Sequence, residues 1–452
     1  MIADHRWEPS SSVGSTWVHS FSDPTAWPAG RTSSWNGSAW ATPVTHNWNA
    51  NASGDLFLSY DSVRSRHVLV WLDLTSHAIV YRSSQNSTGA SWNNPVMTGI
   101  NTAGDYPSVA VSSTGTIVVG ANLASGLVTG FQVTRSTDGG ATWNNTRVVV
   151  SGQDGANARI VASGTTFYIF FATNSTLPTV YLKYISSTDG INWNQPVQLD
   201  MSTAPKRYSS TSYCLNFNCG PFHYATNLDA AGSAGPLGWV VIYPVKSAVG
   251  NLNYLKFCAQ NLGGCVTISY NYDLFLQGIA TSATGDIWMN YHTYGVGGTL
   301  PLLLLAAYRT PGGSYLTSVY QSPSPNEIDP RYWDYAAPGP AAFRCNPNPL
   351  PPNPTGCFSA GDYMKPGMNT FSGATLPFVR RSSVINDLAQ LFVQDPPVGL
   401  PPVPGLQFSE VQPFGSDSRS REELSPEQIR ERTPSLSPSW AGRPNPTKLG
   451  TQ

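Results

Sequence analysis

The run Ser136-Thr137-Asp138-Gly139-Gly140-Ala141-Thr142-Trp143 decides the architecture of this chain. A serine, an aspartate and two glycines in that order suit a tight turn. The carboxylate accepts nearby backbone N–H groups, and glycine supplies the positive φ. Thr142 and Trp143 then resume a strand, with the indole free to pack between neighbouring units. A version one residue shorter, Ser187-Thr188-Asp189-Gly190-Ile191-Asn192-Trp193, follows. Asn36-Gly37-Ser38-Ala39-Trp40 and Gly89-Ala90-Ser91-Trp92 are partial versions that lack the aspartate. The four tryptophans are spaced by 52, 51 and 50 residues, and three of them reach Pro-Val at the same distance, at Pro43-Val44, Pro95-Val96 and Pro196-Val197. A period near 50 marks a unit that cannot bury its own apolar face and must stack on copies of itself.

The pattern Ser-x-Asp-x-Gly-x-x-Trp resembles the Asp box of the sialidase-like (BNR-repeat) β-propellers. Residues 136–143 match it in full, residues 187–193 lack one position, and the phrases at Trp40 and Trp92 match in part. The resemblance implies that the boxes lie in rim hairpins away from the active site. Ser136, Asp138, Gly140, Trp143, Ser187, Asp189, Gly190 and Trp193 are therefore expected to be structural.

Outward from the phrase, each unit reads as three apolar runs before the tryptophan and one after it. Residues 106–111, 116–121, 130–135 and 147–150 make one unit, and residues 159–162, 166–172, 180–185 and 197–199 make the next. The rhythm survives beyond residue 200 without the phrase, in units at 222–268 and 275–320. The expected fold is all-β: a β-propeller of six blades, each of four antiparallel strands, closed by combining residues 361–394 with 38–45. Seven blades is the alternative if residues 14–44 form a full blade. The expected organisation is an N-terminal arm (1–30), the propeller (31–395) and a Pro-rich, largely disordered tail (396–452).

Charged residues are 11% of the 452, against about 25% in ordinary chains. With net charge −1 and no basic run, nucleic-acid binding has no electrostatic support. The longest apolar stretch, Leu300 to Ala307, is far short of a membrane span. Six cysteines form three close pairs, Cys214 with Cys219, Cys258 with Cys265 and Cys345 with Cys357. Without CxxC or a histidine at zinc spacing, they read as local disulfides of an extracellular or periplasmic protein. No signal peptide is visible. Removal of a leader is the favoured reading, beside unconventional export and reduced cysteines. No metal or cofactor is expected.

Chemistry is expected where the innermost strands begin, on the face opposite the boxes. Asp105-Tyr106, Arg159, His223, Asp273 and Asp362-Tyr363 fall there, and the same face receives Asp73 and His77. Ala-Gly-Asp-Tyr occurs twice, at 103–106 and 360–363. Asp105 and Asp362 are the candidate catalytic carboxylates if the chain is an enzyme. Tyr106, Arg159, His223, Asp273 and Tyr363 are the candidate substrate contacts. Gly-Asp capping a strand entry, with Tyr packed between blades, is the structural alternative. Resemblance to sialidases implies an arginine triad, a tyrosine nucleophile assisted by glutamate, and an aspartic acid. Here no glutamate occurs between Glu8 and Glu327, and Arg159-Ile160-Val161 is the closest counterpart of an Arg-Ile-Pro motif. Three functions remain open. The leading one is an exported propeller binding glycan or another extracellular polymer at its axial face. The others are an exo-acting, sialidase-like glycoside hydrolase using Asp carboxylates, and an assembly protein whose tail docks on a protein partner.

Overall fold

The computed structural model describes most of residues 41–203, 228–246 and 253–269, and otherwise strand segments between residues 6 and 35 and between 273 and 408. Successive antiparallel sheets follow one another along the chain. The first comprises Arg6–Val13, Thr16–Asp23, Ala29–Trp35 and Val44–His46. The second comprises Ser53–Asp61, Arg66–Asp73, Ala78–Ser83 and Val96–Met97. The third comprises Ala103–Val111, Ile117–Leu123, Gly130–Ser136 and Asn144–Ser151. The fourth comprises Arg159–Ser163, Thr166–Ala172, Thr179–Ser187 and Val197–Thr203. The fifth comprises Asp229–Ala231, Val240–Lys246, Asn253–Ala259 and Cys265–Ser269, and the sixth Asp273–Thr281, Ile287–Tyr294, Leu303–Arg309 and Thr317–Gln321. Gly367–Met368, Ala374–Arg381 and Ala389–Gln394 form a three-stranded sheet. The first strand of each sheet touches the first strand of the next, and Gly367–Met368 touches the first strands of both the sixth and the first sheets. The molecule is all-β with a propeller-like arrangement.

The core lies between sheets. Val68, Val70 and Ile79 of the second sheet pack against Val109, Ile117 and Val119 of the third. Val118, Phe131 and Val133, on the other face of the third sheet, pack against Ile160, Phe167 and Ile169 of the fourth. A strand buried on both faces gains nothing from alternation, which is why these runs read as continuously apolar. Each buried Val, Ile or Phe contributes about 1.5–3 kcal/mol. Close approach matters as much: a Cβ on Gly120 would meet the Phe131 ring and Ile160.

The turn at 136–143 is built as its residues dictate. Ser136 Oγ donates to Asp138 Oδ1 at 2.7 Å and accepts from Gly140 N at 2.7 Å. Asp138 also accepts from Thr142 N at 3.0 Å and from the Thr142 hydroxyl at 2.5 Å. These bonds, the Thr142 hydroxyl foremost, hold the Asp138 carboxyl well below the usual carboxylate range. The turn at 187–193 repeats the scheme, with Ile191 N and Asn192 N donating to Asp189 Oδ1 at 2.7 and 2.8 Å. Each turn also packs on the preceding sheet. Trp143 meets Tyr81 edge-on at 5.1 Å, Tyr81 Oη donates to Gly139 O at 3.1 Å, and Arg66 donates to the same carbonyl at 2.6 Å. Buried Asp61 anchors Arg64 at 2.9 Å, and Arg64 in turn donates to Gly115 O. In the fifth sheet the equivalent hairpin carries the Cys258–Cys265 disulfide.

Two expectations change. Val44–His46 pairs with Ala29–Trp35 and not with residues 361–394, so the first sheet comes wholly from the N-terminal segment. Local hairpins close more cheaply than pairing across the whole chain. Residues 6–23, read as part of an arm, form two of its strands because Thr16–Asp23 pairs with both neighbours. Gln407–Phe408, in the tail expected to be largely disordered, pairs with Cys265–Ser269. Cys345 lies opposite Cys357 in a two-stranded ladder, while Cys214 and Cys219 lie outside the described residues. Among the described residues no helix is long and apolar enough to cross a membrane.

Candidate functional site

The innermost strands of the first, second, third and sixth sheets share a departure from regular pairing, while those of the fourth and fifth pair regularly. Two residues oppose one on the neighbouring strand between Trp7 and Ser10, Gly54 and Phe57, Asp105 and Ser108, and Phe275 and Gly278. Such bulges bend a strand and re-aim its side chains, and they concentrate at barrel rims and beside active sites. Pro9 and Pro107 occupy two of them, where a missing N–H removes no ladder bond. Each bulge lies near the start of its strand, at the end of the sheet away from the Ser–Asp–Gly turns.

At the bulge of the third sheet Tyr106 has φ 54°, a conformation costly for a bulky residue. Its ring is 4% exposed and lies 5.4 Å from the Arg159 guanidinium carbon. Phe57 of the second sheet approaches the same carbon to 5.8 Å. Arg159 itself, first residue of the fourth sheet, is 2% exposed. Three adjacent innermost strands therefore hold one permanent cation between two aromatic rings, within cation–π range of both. Burial leaves that charge little screened by water.

The loop between the second and third strands of the second sheet lies at the same end. His77 O accepts from Ala103 N at 2.8 Å, tying this loop to the start of the third sheet. Asp73 Oδ1 accepts from Thr75 N, Ser76 N and Ser76 Oγ, while Asp73 Oδ2 and His77 Nδ1 are buried without a hydrogen-bond partner among the described residues.

Tyr106 and Arg159 are thus brought together, and Asp105 pairs with Asn122 immediately before the bulge. Asp273 starts the innermost strand of the sixth sheet. His223, Asp362 and Tyr363 lie outside the described residues, and the innermost strand expected at His223 is Asp229–Ala231. Sequence reasoning missed Phe57. The signal was there: Gly54-Asp55 precedes Phe57 much as Gly104-Asp105 precedes Tyr106.

Two further polar clusters lie between sheets and are explained by packing. Asp200 accepts from Tyr243, Ser202 and Lys256, the last at 2.8 Å, joining the fourth and fifth sheets. Burial, reinforced by Asp200, pushes the Tyr243 hydroxyl pKa well up. His46 joins the first and second sheets. Arg82 donates to its Nδ1 at 3.1 Å, so the neutral ring carries its proton on Nε2 and donates to Thr32 Oγ1 at 2.7 Å. Among the described residues no three His, Cys, Asp or Glu side chains are placed to hold a metal ion.

No family model matches this chain, and no curated protein matches it in sequence. Solved structures similar to it include the NanB sialidase from Streptococcus pneumoniae, at 12% identity and TM-score 0.41, over 65% of each chain. The polysaccharide lyase Uly1 is similar at 9% identity and TM-score 0.46, over 86% of this chain and 89% of its own. The α-L-arabinofuranosidase arb93a from Fusarium graminearum is similar at 9% identity and TM-score 0.39, over 65% of this chain and 93% of its own. The chain spans about 65% of the NanB structure's length.

Proposed function

We propose that this chain binds a carboxylate-bearing glycan at the axial face, with Arg159 attracting the acid group and Tyr106 and Phe57 holding the guanidinium in place. The observation that carries this reading is the buried guanidinium between two aromatic rings, 5.4 and 5.8 Å away, at the level where the innermost strands bulge. Strain at Tyr106 marks the same place, since a bulky residue keeps a positive φ only where its surroundings hold it there. The ring is read as seven sheets, with Gly367–Met368 bridging the sixth and the first. Export, a second and third disulfide, and one propeller body ending near residue 395 belong to the same reading.

Titration calorimetry with oligouronates and with neutral oligosaccharides of equal length tests it. Acidic ligands bind more tightly, and their affinity falls with salt. Arg159→Lys keeps the charge but not the planar fork, and lowers that affinity about tenfold. Equal affinity for neutral and acidic sugars would sink the reading.

One observation favours a second reading, that of a glycoside hydrolase. Asp105 immediately precedes Tyr106 in the bulged strand, and with Asp362 it supplies the two carboxylates that acid–base hydrolysis requires. Turnover of an oligosaccharide pool followed by NMR, abolished in Asp105→Asn with binding retained, would establish it. Absence of new anomeric signals leaves the binding role alone.

A further inference from the structure

We infer that Asn86 is an acceptor site for an N-linked oligosaccharide. Five Asn-x-Ser/Thr triplets without a central proline occur, at Asn36, Asn51, Asn86, Asn144 and Asn174. In a chain rich in asparagine, serine and threonine the triplet alone is a weak signal, so local geometry has to choose among them. Asn36 and Asn174 lie outside the described residues. Asn51 is half-buried and its amide is engaged, with Nδ2 donating to Asp73 Oδ1 at 3.3 Å. Asn144 is exposed, but it opens the outer strand Asn144–Ser151, and its Oδ1 accepts from Asn145 Nδ2 at 2.5 Å. Asn86 is exposed, lies in the turn between the third and outer strands of the second sheet, and is engaged by its own triplet. Thr88 N and the Thr88 hydroxyl donate to Asn86 Oδ1 at 3.0 and 2.6 Å.

The position is telling because Ser84-Gln85-Asn86 stands where the later turns carry Ser-x-Asp. Asp138 and Asp189 commit both carboxylate oxygens to their own turns. An asparagine has one oxygen for that task, and its other arm is an NH2 that only donates. Asn86 Nδ2 donates no hydrogen bond among the described residues, so the amide faces solvent with its nitrogen free. The two bonds to Oδ1 draw electron density toward the oxygen and make a proton on Nδ2 easier to lose. The turn itself is pinned from below. Ser87 O accepts from the buried His67 Nε2 at 3.0 Å, Ser84 Oγ donates to Asn86 O at 2.6 Å, and Trp92 Nε1 donates to Gly89 O at 2.9 Å. A glycan on Nδ2 therefore breaks none of these contacts, and it stands at the hairpin end, away from the axial face. Transfer from a lipid-pyrophosphate-linked oligosaccharide joins Asn86 Nδ2 to the anomeric carbon. The nitrogen gives up one proton, and the lipid pyrophosphate leaves that carbon with the bonding electron pair. The donor is met only on export, so the inference rests on the export proposed above.

The test is peptide mapping by mass spectrometry of the full chain, produced behind a supplied secretory leader in a eukaryotic cell. The supplied leader separates the two questions: occupancy of Asn86 is read whether or not the native chain is exported, and export is read from where the chain accumulates without it. A glycan is expected on Asn86 and none on Asn51. Asn86→Gln and Thr88→Val abolish the modification at this position, while Thr88→Ser, which restores the hydroxyl, keeps it. Mapping of the unaltered chain does not depend on how any variant folds. Three results overturn the inference: an unmodified Asn86, a glycan on Asn51 in its place, and a glycan on Asn86 that persists in Thr88→Val.

Discussion

The two ends of the third sheet solve opposite problems. At the hairpin end, around Asp138, the polar groups of the turn are multiply bonded, glycine occupies the positive-φ positions 139 and 140, and tryptophan and tyrosine rings seal the joint. At the axial end the strand bulges, a tyrosine occupies a positive-φ position, and a buried carboxylate oxygen and an imidazole nitrogen of the adjoining loop lack partners among the described residues. The first end gives up nothing for function. The second keeps strain and unspent hydrogen-bonding capacity where three innermost strands meet. A propeller can hold such a face because the stability comes from the sheets and rims around it.

The largest expected effect breaks the hairpin end. Gly140→Ala introduces a Cβ at φ 93° directly against the Tyr81 ring. The left-handed backbone costs about 1–2 kcal/mol and overpacking another ~1–3. Urea denaturation should therefore show a loss near 4 kcal/mol. Next comes acid. His67, near the same end of the second sheet, is buried with Nε2 donating to Ser87 O at 3.0 Å, and burial lowers its pKa to about 4. The unfolded chain binds this proton near pH 6.5 and the folded chain only near pH 4, so stability is complete above 6.5 and is lost as pH falls toward 4. The full difference is on the order of 3 kcal/mol. His46, lowered by burial and then by Arg82, adds a slope of the same sign. Thermal midpoints from pH 7.5 to 4 should decline in the native chain and decline less in His67→Gln.

The disulfide sharpens the comparison within the hairpin end itself. Cys258 and Cys265 are seven residues apart, so reduction should cost about 2–3 kcal/mol by loop entropy. Denaturation midpoints with and without reductant measure it, and Cys258→Ala with Cys265→Ala should remove the dependence. The smallest effect lies at the axial end. Tyr106→Gly loses about 2–3 kcal/mol of ring burial but relieves about 1–2 of backbone strain, leaving a net loss near 1. Tyr81→Ala, equally buried but unstrained, should cost roughly 3–5 by the same denaturation measurement. Equal losses at the two positions would mean that the axial end stores no strain.

Much of this was legible because the repeat is local. Thr166–Ala172 appears with the bounds its apolar run predicts, and the hairpin stapled by Cys258 and Cys265 stands where a Ser–Asp–Gly turn would be. Tyr106 and Arg159 could be nominated because strand starts can be counted from one turn to the next. Their partnership with Phe57 could not, since each residue sits on a different sheet and nothing in the spacing says which strands bulge. Glu8 shows the same limit. Its place outside the apparent repeat removed it from consideration, yet it lies in the bulge of an innermost strand.

The sequence by itself determined the unit: a turn chemistry, a period near 50 residues, four short strands and apolar runs that demand burial on both faces. Those follow from interactions between residues a few positions apart, which the order of amino acids states directly. Tertiary structure alone decided that residues 6–46 form their own sheet, that Arg159 sits between Phe57 and Tyr106, and that Gln407 meets Ser269. The last two join segments about 50 or more residues apart, and the first turns on the lower closure cost of local hairpins. Such pairings are selected by closure entropy and packing across the whole molecule.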